Sequence, residues 1–300
     1  MLRIYAYNAG KGDCIRIEFG NGRNILIDTG VTRFAPEFMK LCDGLESADI
    51  LVLTHADDDH IGGILSALRY GWKCPFKEVR MNASSSPDSV TNAYLSTRQN
   101  DEVYSRLLRQ GVIVKPLHNG DDIIIEDAGI RTLAPTQIIS DTVRRNTPLA
   151  YHRDYGKSLA VLADEPIGVN DSSLSNKNSI VFIFEYNGRS LLFTGDAWAE
   201  DVINALGEGS HSFDLVKLSH HGSIANISEA FPAHIQSQNF LICTDGTMHP
   251  DKQTIAKLVK WYGKINVYSP SNWWNKGFFT AEDDKECVNL LHKEGLVIEW

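Results

Sequence analysis

Apolar and polar positions alternate from the first residues of the chain. "RIYAYNA", "CIRIEFG" and "NILIDTG" are short β-branched or aromatic runs with the period-two pattern of half-buried strands. Asn21-Gly22 between the last two predicts a hairpin turn. Residues 34–42 read as a helix, "DILVLTH" as an apolar strand, and Gly62-Gly63 leads into a helix over "ILSALRY". "NASSSPDS" is a loop, and "NAYLSTRQNDEVYSRLLRQG" is an amphipathic helix ending at Gly111. "VIVKPL", "DIIIED" and "IRTLAP" return to strand, whereas residues 136–178 are polar and irregular. In the second half, "SIVFIFEYNGRSLLFTGD" is a hairpin about Asn187-Gly188, and "AWAEDVINALGE" is a helix. The strand "FDLVKLS" runs into His-His-Gly. "NFLICTDGTMHP", a helix over "DKQTIAKLVKWYG", the strand "INVYSP", and a final helix and strand complete the pattern.

Two stretches repeat. "ADILVLTHADD" and "FDLVKLSHHGS" share Asp, an apolar run, Ser/Thr and then His, and each follows a hairpin whose second strand ends in "DTG" or "TGD". This weak internal duplication predicts two β-rich α/β halves whose strands aim their C-terminal ends at one shared site. No linker separates the halves. Residues 1–300 are therefore expected to form one domain, with inserts at about 82–110 and 136–178.

The chain has 300 residues, 43% of them hydrophobic, and a formal net charge of −9. That balance argues against a broad basic groove for duplex nucleic acid. An anionic substrate remains compatible with it, because bound dications reverse the charge locally. Five widely spaced cysteines without a C-x-x-C predict reduced thiols. The N-terminus lacks an apolar signal region, and no apolar run approaches the ~18 residues that span a bilayer. A soluble, cytoplasmic protein is expected.

The densest chemistry lies in "THADDDHIGG", which puts three carboxylates and two imidazoles between His55 and His60. Adjacent carboxylates repel one another, and water, Lys/Arg or a bound cation must offset that repulsion. His55, Asp57, Asp59 and His60 directly follow a strand, so they sit on a loop and the first turn of a helix. Residues two apart there converge on one ion, while Asp59 and His60 turn toward a second. Imidazole and carboxylate together suit zinc, manganese or iron. Asp58 is expected to point away. Asp28, Asn8 and Asp13 are candidates to support the ligands from behind. Arg144, Arg145, Arg153 and Lys157 form a group that could grip phosphate, and Trp273-Trp274 either walls a pocket or packs in the core.

Five motifs occur in order: "NAGKGDCIRIEFGNGRNILIDTG", "THADDDHIGG", "NSIVFIFEYNGRSLLFTGD", "DLVKLSHHGS" and "DGTMHPDKQTIAKL". Together they resemble the C-terminal hydrolase domain of ComEC-type DNA-uptake proteins, within the metallo-β-lactamase superfamily. Asp57 stands where the superfamily's H-x-H-x-D-H signature has its second His. The segment "SLSNKNS" lacks a ligand His that many members carry. The resemblance implies the αβ/βα four-layer sandwich of that superfamily and two divalent ions, Zn2+ or Mn2+ with iron as a further candidate. It implies that Asp196 bridges the ions and that His249 joins the second. Of His220 and His221, one completes the first ion's surroundings. His221 is favoured, leaving His220 for substrate, although the internal repeat aligns His220 with His55 and argues the other way.

The implied function is two-metal hydrolysis of an anionic phosphodiester, single-stranded DNA or RNA or a small nucleotide diester, with Asp59 and His220 as catalytic residues. The rival readings are carbon-centred hydrolysis of a lactone, thioester or β-lactam, and a metal-stabilised partner module without turnover.

Overall fold

The computed structural model describes residues 1–83, 95–136, 154–292 and 296–300. The first-half strands are β1 (Leu2–Ala6), β2 (Ile15–Phe19), β3 (Arg23–Ile27), β4 (Ile50–Leu53), β5 (Glu78–Met81) and β6 (Ile113–Lys115). Next come β7 (Asp122–Ile125), β8 (Ala128–Ala134), β9 (Val181–Tyr186), β10 (Arg189–Phe193), β11 (His211–Ser212) and β12 (Leu215–Lys217). The last five are β13 (Ile235–Gln236), β14 (Asn239–Leu241), β15 (Ile265–Ser269), β16 (Val288–His292) and β17 (Leu296–Glu299). The α-helices are α1 (Ala35–Asp43), α2 (Asp58–Arg69), α3 (Leu95–Arg109), α4 (Leu159–Asp164), α5 (Leu174–Lys177), α6 (Ala199–Leu206), α7 (Phe231–His234) and α8 (Lys252–Tyr262).

Two large sheets form. One runs β17-β1-β2-β3-β4-β5-β6, the other β16-β15-β14-β12-β10-β9-β8-β7. The sequence repeat becomes a topological one. β2 pairs antiparallel with β3, which pairs parallel with β4; β9 pairs antiparallel with β10, which pairs parallel with β12. The Asn187-Gly188 turn joins β9 to β10 with positive φ at both residues, as a tight hairpin requires.

Three apolar clusters define the layers. Ile4, Ile17, Ile25, Phe182, Phe193 and Leu241 meet between the sheets. The outer face of the first sheet packs Leu26, Leu51 and Val79 against α1, α2 and α3. The outer face of the second packs Ile183, Leu192 and Val216 against α4, α6 and α8. The result is the expected αβ/βα sandwich. Strands covered on both faces lose alternation, so β4 is buried throughout, whereas β1 keeps a buried-exposed rhythm.

Glycines let the loops at one edge close on each other. A Cβ at Gly12 would lie 1.8 Å from the Asp59 carbonyl oxygen, and one at Gly63 would lie 2.0 Å from that of Thr29. Only hydrogen fits at either place, so both glycines press the first turn of α2 against the loops after β1 and β3.

Two expectations are corrected. The final helix is instead the strand β16, which forms because β15 offers a free parallel partner. The described part of the 136–178 segment is not merely irregular: α4 packs on α8, and α5 reaches the site edge. Arg144, Arg145 and Arg153 lie outside the described residues. Trp273 is buried, in T-shaped contact with Trp274 and Phe278, so core packing accounts for it. Among the described residues no helix is long and apolar enough to cross a membrane.

Candidate metal centre

β4 delivers Thr54 and His55, and α2 begins at once, bringing Asp59 and His60 into its first turn. Asp58 points away and accepts a hydrogen bond from the Thr32 hydroxyl at 2.7 Å. From the second sheet, the turn after β10 carries Asp196, and β12 ends shortly before His220 and His221. Both histidines have positive φ, 46° and 55°. That conformation is costly for a non-glycine residue and persists where surroundings enforce it.

Four imidazoles surround one carboxylate oxygen. Asp196 Oδ2 lies 3.3 Å from His60 Nε2, 3.5 Å from His221 Nε2, 3.9 Å from His55 Nε2 and 4.0 Å from His220 Nε2. Each ring is anchored by its other nitrogen. His60 Nδ1–H donates to Asp28 Oδ2 at 2.7 Å. The Thr54 hydroxyl gives its hydrogen to the same oxygen, so it accepts from His55 Nδ1 at 3.1 Å. His221 Nδ1–H donates to the Cys243 carbonyl at 2.9 Å, with Asp13 Oδ1 at 3.2 Å behind it. Asn226 spends its amide hydrogens on Asp171 and the Asp196 and Ala197 carbonyls, so its oxygen accepts from His220 Nδ1 at 3.0 Å. These partners assign one tautomer to all four rings and leave every Nε2 lone pair facing Asp196.

The buried Nε2 atoms of His55, His60 and His221 make no hydrogen bond. A buried polar atom left so costs roughly 1–3 kcal/mol. Their spacing supplies the reason. Asp196 Oδ2 lies 3.3 Å from His60 Nε2 and 3.5 Å from His221 Nε2, and Asp59 Oδ2 3.6 Å from His221 Nε2, separations long for direct bonds. They match the ~3.3 Å edges of a tetrahedron whose metal–nitrogen bonds are about 2.0–2.1 Å. The donor set therefore fits a dication. Close donor groups include His55 with His60 and Asp196, and Asp59 with His60 and His221.

The charge balance agrees. Burial pushes the Asp196 carboxyl up, but His60, His221 and His220 outweigh it and hold it well below the usual carboxylate range. Burial pulls the imidazoles of His60 and His221 down, but Asp196 leads the groups that raise them, His221 to about 9. Burial depresses His55, and His60 adds to the effect. A pocket so built holds carboxylates ionised and demands positive charge beside them.

The structure brings His55, Asp59, His60, Asp196, His220 and His221 to one edge of the sandwich. Asp57 joins from the side. Its Oδ2 is 3.9 Å from His55 Nε2, and its Oδ1 accepts from the Ser175 hydroxyl at 2.7 Å. One expectation changes. His221 lies with Asp59 and His60 rather than completing the group around His55 and Asp57, because the Cys243 carbonyl turns its ring that way. Among the described residues His249 is in none of the close donor groups; its ring packs on His220 at 4.9 Å, with Asp251 Oδ2 3.5 Å from Nδ1. Asn8 is exposed. Lys157 is taken by Glu165 at 2.7 Å rather than reaching toward the site.

Several contributors went unread. Lys217 is fully buried. Its ammonium bonds the Asp13 carboxylate and the Gly195 carbonyl and stands 3.6 Å from Asp196 Oδ1. One donor group, Asp13 with Asp196 and His221, thus already has a resident cation. The signal was a lysine inside the apolar run "DLVKLS". Asp171, Ser175 and Asn176 come from the segment without a ligand His, where they hold Asp57 and the network behind His220.

The family model for the metallo-beta-lactamase superfamily matches residues 7–134. ComE operon protein 3 of Bacillus subtilis is 24% identical over 294 residues, covering 87% of this chain. The chain spans only 32% of that relative's length. Similar solved structures include the metallo-beta-lactamase fold protein YhfI of Bacillus subtilis, at 12% identity and TM-score 0.44, covering 100% of both chains. Another is the Zn(2+)-bound PqqB of Methylobacterium extorquens, at 13% identity and TM-score 0.47, covering 99% of this chain and 100% of that one. A diphosphatase of the PhnP family shows 14% identity and TM-score 0.47, covering 100% and 98%. By the family match over residues 7–134, and by its sandwich and edge cluster of imidazoles and carboxylates, the chain is similar to the metallo-beta-lactamase superfamily.

Proposed function

We propose that the chain is a two-ion phosphodiesterase acting on single-stranded nucleic acid or small nucleotide diesters. The observation that carries the two-ion reading is the convergence of four oriented imidazoles on Asp196 Oδ2. His55, Asp57, Asp196 and His220 would hold one divalent ion; Asp59, His60, His221 and Asp196 would hold the other. Zn2+ and Mn2+ suit this mixture of nitrogen and oxygen, with iron a further candidate. When bound, such a pair supplies a hydroxide near neutral pH and neutralises charge on phosphoryl oxygens.

The chain's own residues do the positioning. Asp59 is partly open to solvent, with 14% of its side chain accessible, and faces the centre beside Asp196. It can orient the attacking oxygen. His220 is the most accessible of the four imidazoles, at 29% of its side chain. Asn226 and Asp171 fix its Nδ1 hydrogen, so its Nε2 is free either to complete the first ion's surroundings or to carry a proton toward the leaving oxygen. The choice of phosphorus over carbon rests on the motif resemblance to ComEC-type hydrolase domains.

Reconstitution with zinc, manganese or iron, followed by bis(p-nitrophenyl) phosphate and labelled DNA, tests this reading. Diester cleavage that disappears on chelation is expected. Turnover of a lactone, thioester or β-lactam panel with no diester cleavage would overturn it in favour of the carbon-centred reading. Stoichiometric metal with no turnover of any substrate would favour a non-catalytic module. For His220→Gln, full metal content with lost turnover assigns the proton role, and loss of one ion assigns the ligand role.

A further inference from the structure

Beside the centre, three cations collect where loops from the two halves meet. The Lys11 ammonium is 3.2 Å from Asp59 Oδ2, and its side chain is 48% exposed. Arg33 lies against the neighbouring Gly10: a Cβ there would be 3.1 Å from the Arg33 Nη2. The guanidinium is 77% exposed and reaches across to Asp245 Oδ2 at 3.5 Å. Lys276, also exposed, donates to the Asp245 carbonyl at 2.7 Å.

These positions belong to the edge of the site. Thr32, next to Arg33, bonds Asp58 within the Asp-rich turn. Asp245 follows Cys243 and Thr244, whose carbonyl and hydroxyl bond His221 and the His249 carbonyl. Of the acids here, Asp245 Oδ1 accepts from the Thr247 amide and hydroxyl, and Asp59 faces the metal donors. The opposite side differs, since Asp171 and Asp251 stand behind His220 and His249. A chain with net charge −9 thus places exposed positive charge on one side of an acidic centre. Arg33 is held by a single long ion pair among the described contacts, which suits a group that exchanges partners.

We propose that Lys11, Arg33 and Lys276 form a subsite for the phosphate next to the scissile one. This rests on the phosphodiesterase reading and narrows it: the preferred substrate is a single strand carrying successive phosphates, rather than an isolated diester. Electrostatic contacts of this kind bind the backbone without reading bases.

The test uses manganese-loaded full-length chain and a fluorescein-labelled single-stranded 12-mer with phosphorothioate linkages, followed by anisotropy across a salt series. Arg33→Gln/Lys276→Gln should weaken binding about tenfold and flatten the slope of log K against log salt by about 1.4, near 0.7 per lost cation. Adding Lys11→Gln should flatten it further. With cleavable substrates, the ratio of kcat/KM for the 12-mer to that for bis(p-nitrophenyl) phosphate should fall in the variants. An unchanged salt slope in the triple variant overturns the subsite even if diesters are cleaved. Equal binding of duplex overturns the single-strand preference. The phosphodiesterase reading fails separately, by absent cleavage of both substrates, while the binding arm still reports on the rim.

Discussion

His60 Nδ1–H donates to Asp28 Oδ2 at 2.7 Å inside the protein, and this one bond decides which nitrogen of His60 faces Asp196. Asp28 also accepts the Thr54 amide and hydroxyl, so it orients His55 through Thr54. Asp28 itself has φ 57°, a conformation asparagine tolerates well. Asp28→Asn should therefore fold, yet lose the charge and one acceptor behind two rings. Loss of such a supporting partner costs about 10–100-fold in metal affinity. Competition titration with a chromophoric chelator measures it, and unchanged affinity would remove Asp28 from the role.

Lys217 and Asp13 compensate each other in the interior, both about 1% exposed. Lys217→Met leaves the Asp13 carboxylate buried without its ammonium partner, with His221 beside it. Breaking a buried pair from one side costs about 3–5 kcal/mol. Urea unfolding should show that loss. Asp13→Asn/Lys217→Met should recover much of it, because no uncompensated charge remains. A double variant as unstable as the single one would argue against charge as the cause.

Asp59→Ala and Asp196→Ala separate catalysis from folding. If the ions serve turnover, both variants keep their circular dichroism spectrum while activity drops on the order of 10²–10³-fold. A loss of folded structure in both, with metal-depleted wild type also unfolded, would instead make the metal structural.

His221 provides a pH test. Its imidazole is raised from an ordinary 6.5 to about 9, against the pull of burial, by Asp196 and Asp13. A group whose pKa is higher in the folded than in the unfolded state stabilises fully below the unfolded value and ceases to as pH climbs through the folded one. The chelated protein should therefore lose melting temperature between about pH 6.5 and 9. Metal affinity should rise over the same interval, because an ion must displace the proton from Nε2. Scanning calorimetry and metal titration at several pH values check the opposite signs. A melting temperature that increases with pH in the chelated protein would contradict the assignment.

Much of this was legible in the chain. The period-two runs located the hairpins at Asn21-Gly22 and Asn187-Gly188. The crowding of three acids and two histidines after a buried strand marked the turn that the structure places at the edge cluster. Where the reading went astray, the deciding contact was remote. The final helix expected before the last strand becomes β16 once β15 offers an edge. His221 could be assigned to either ion until the Cys243 carbonyl is seen to take its Nδ1.

The sequence by itself determined which elements form and which side chains carry charge or lone pairs, because strand periodicity, turn chemistry and ligand type are local properties of neighbouring residues. Only the tertiary structure decided where each lone pair points. A ring's tautomer, a lysine's burial and the grouping of donors depend on partners such as Asp28, Cys243, Asn226 and Asp13, which are brought within bonding distance only when the two sheets pack.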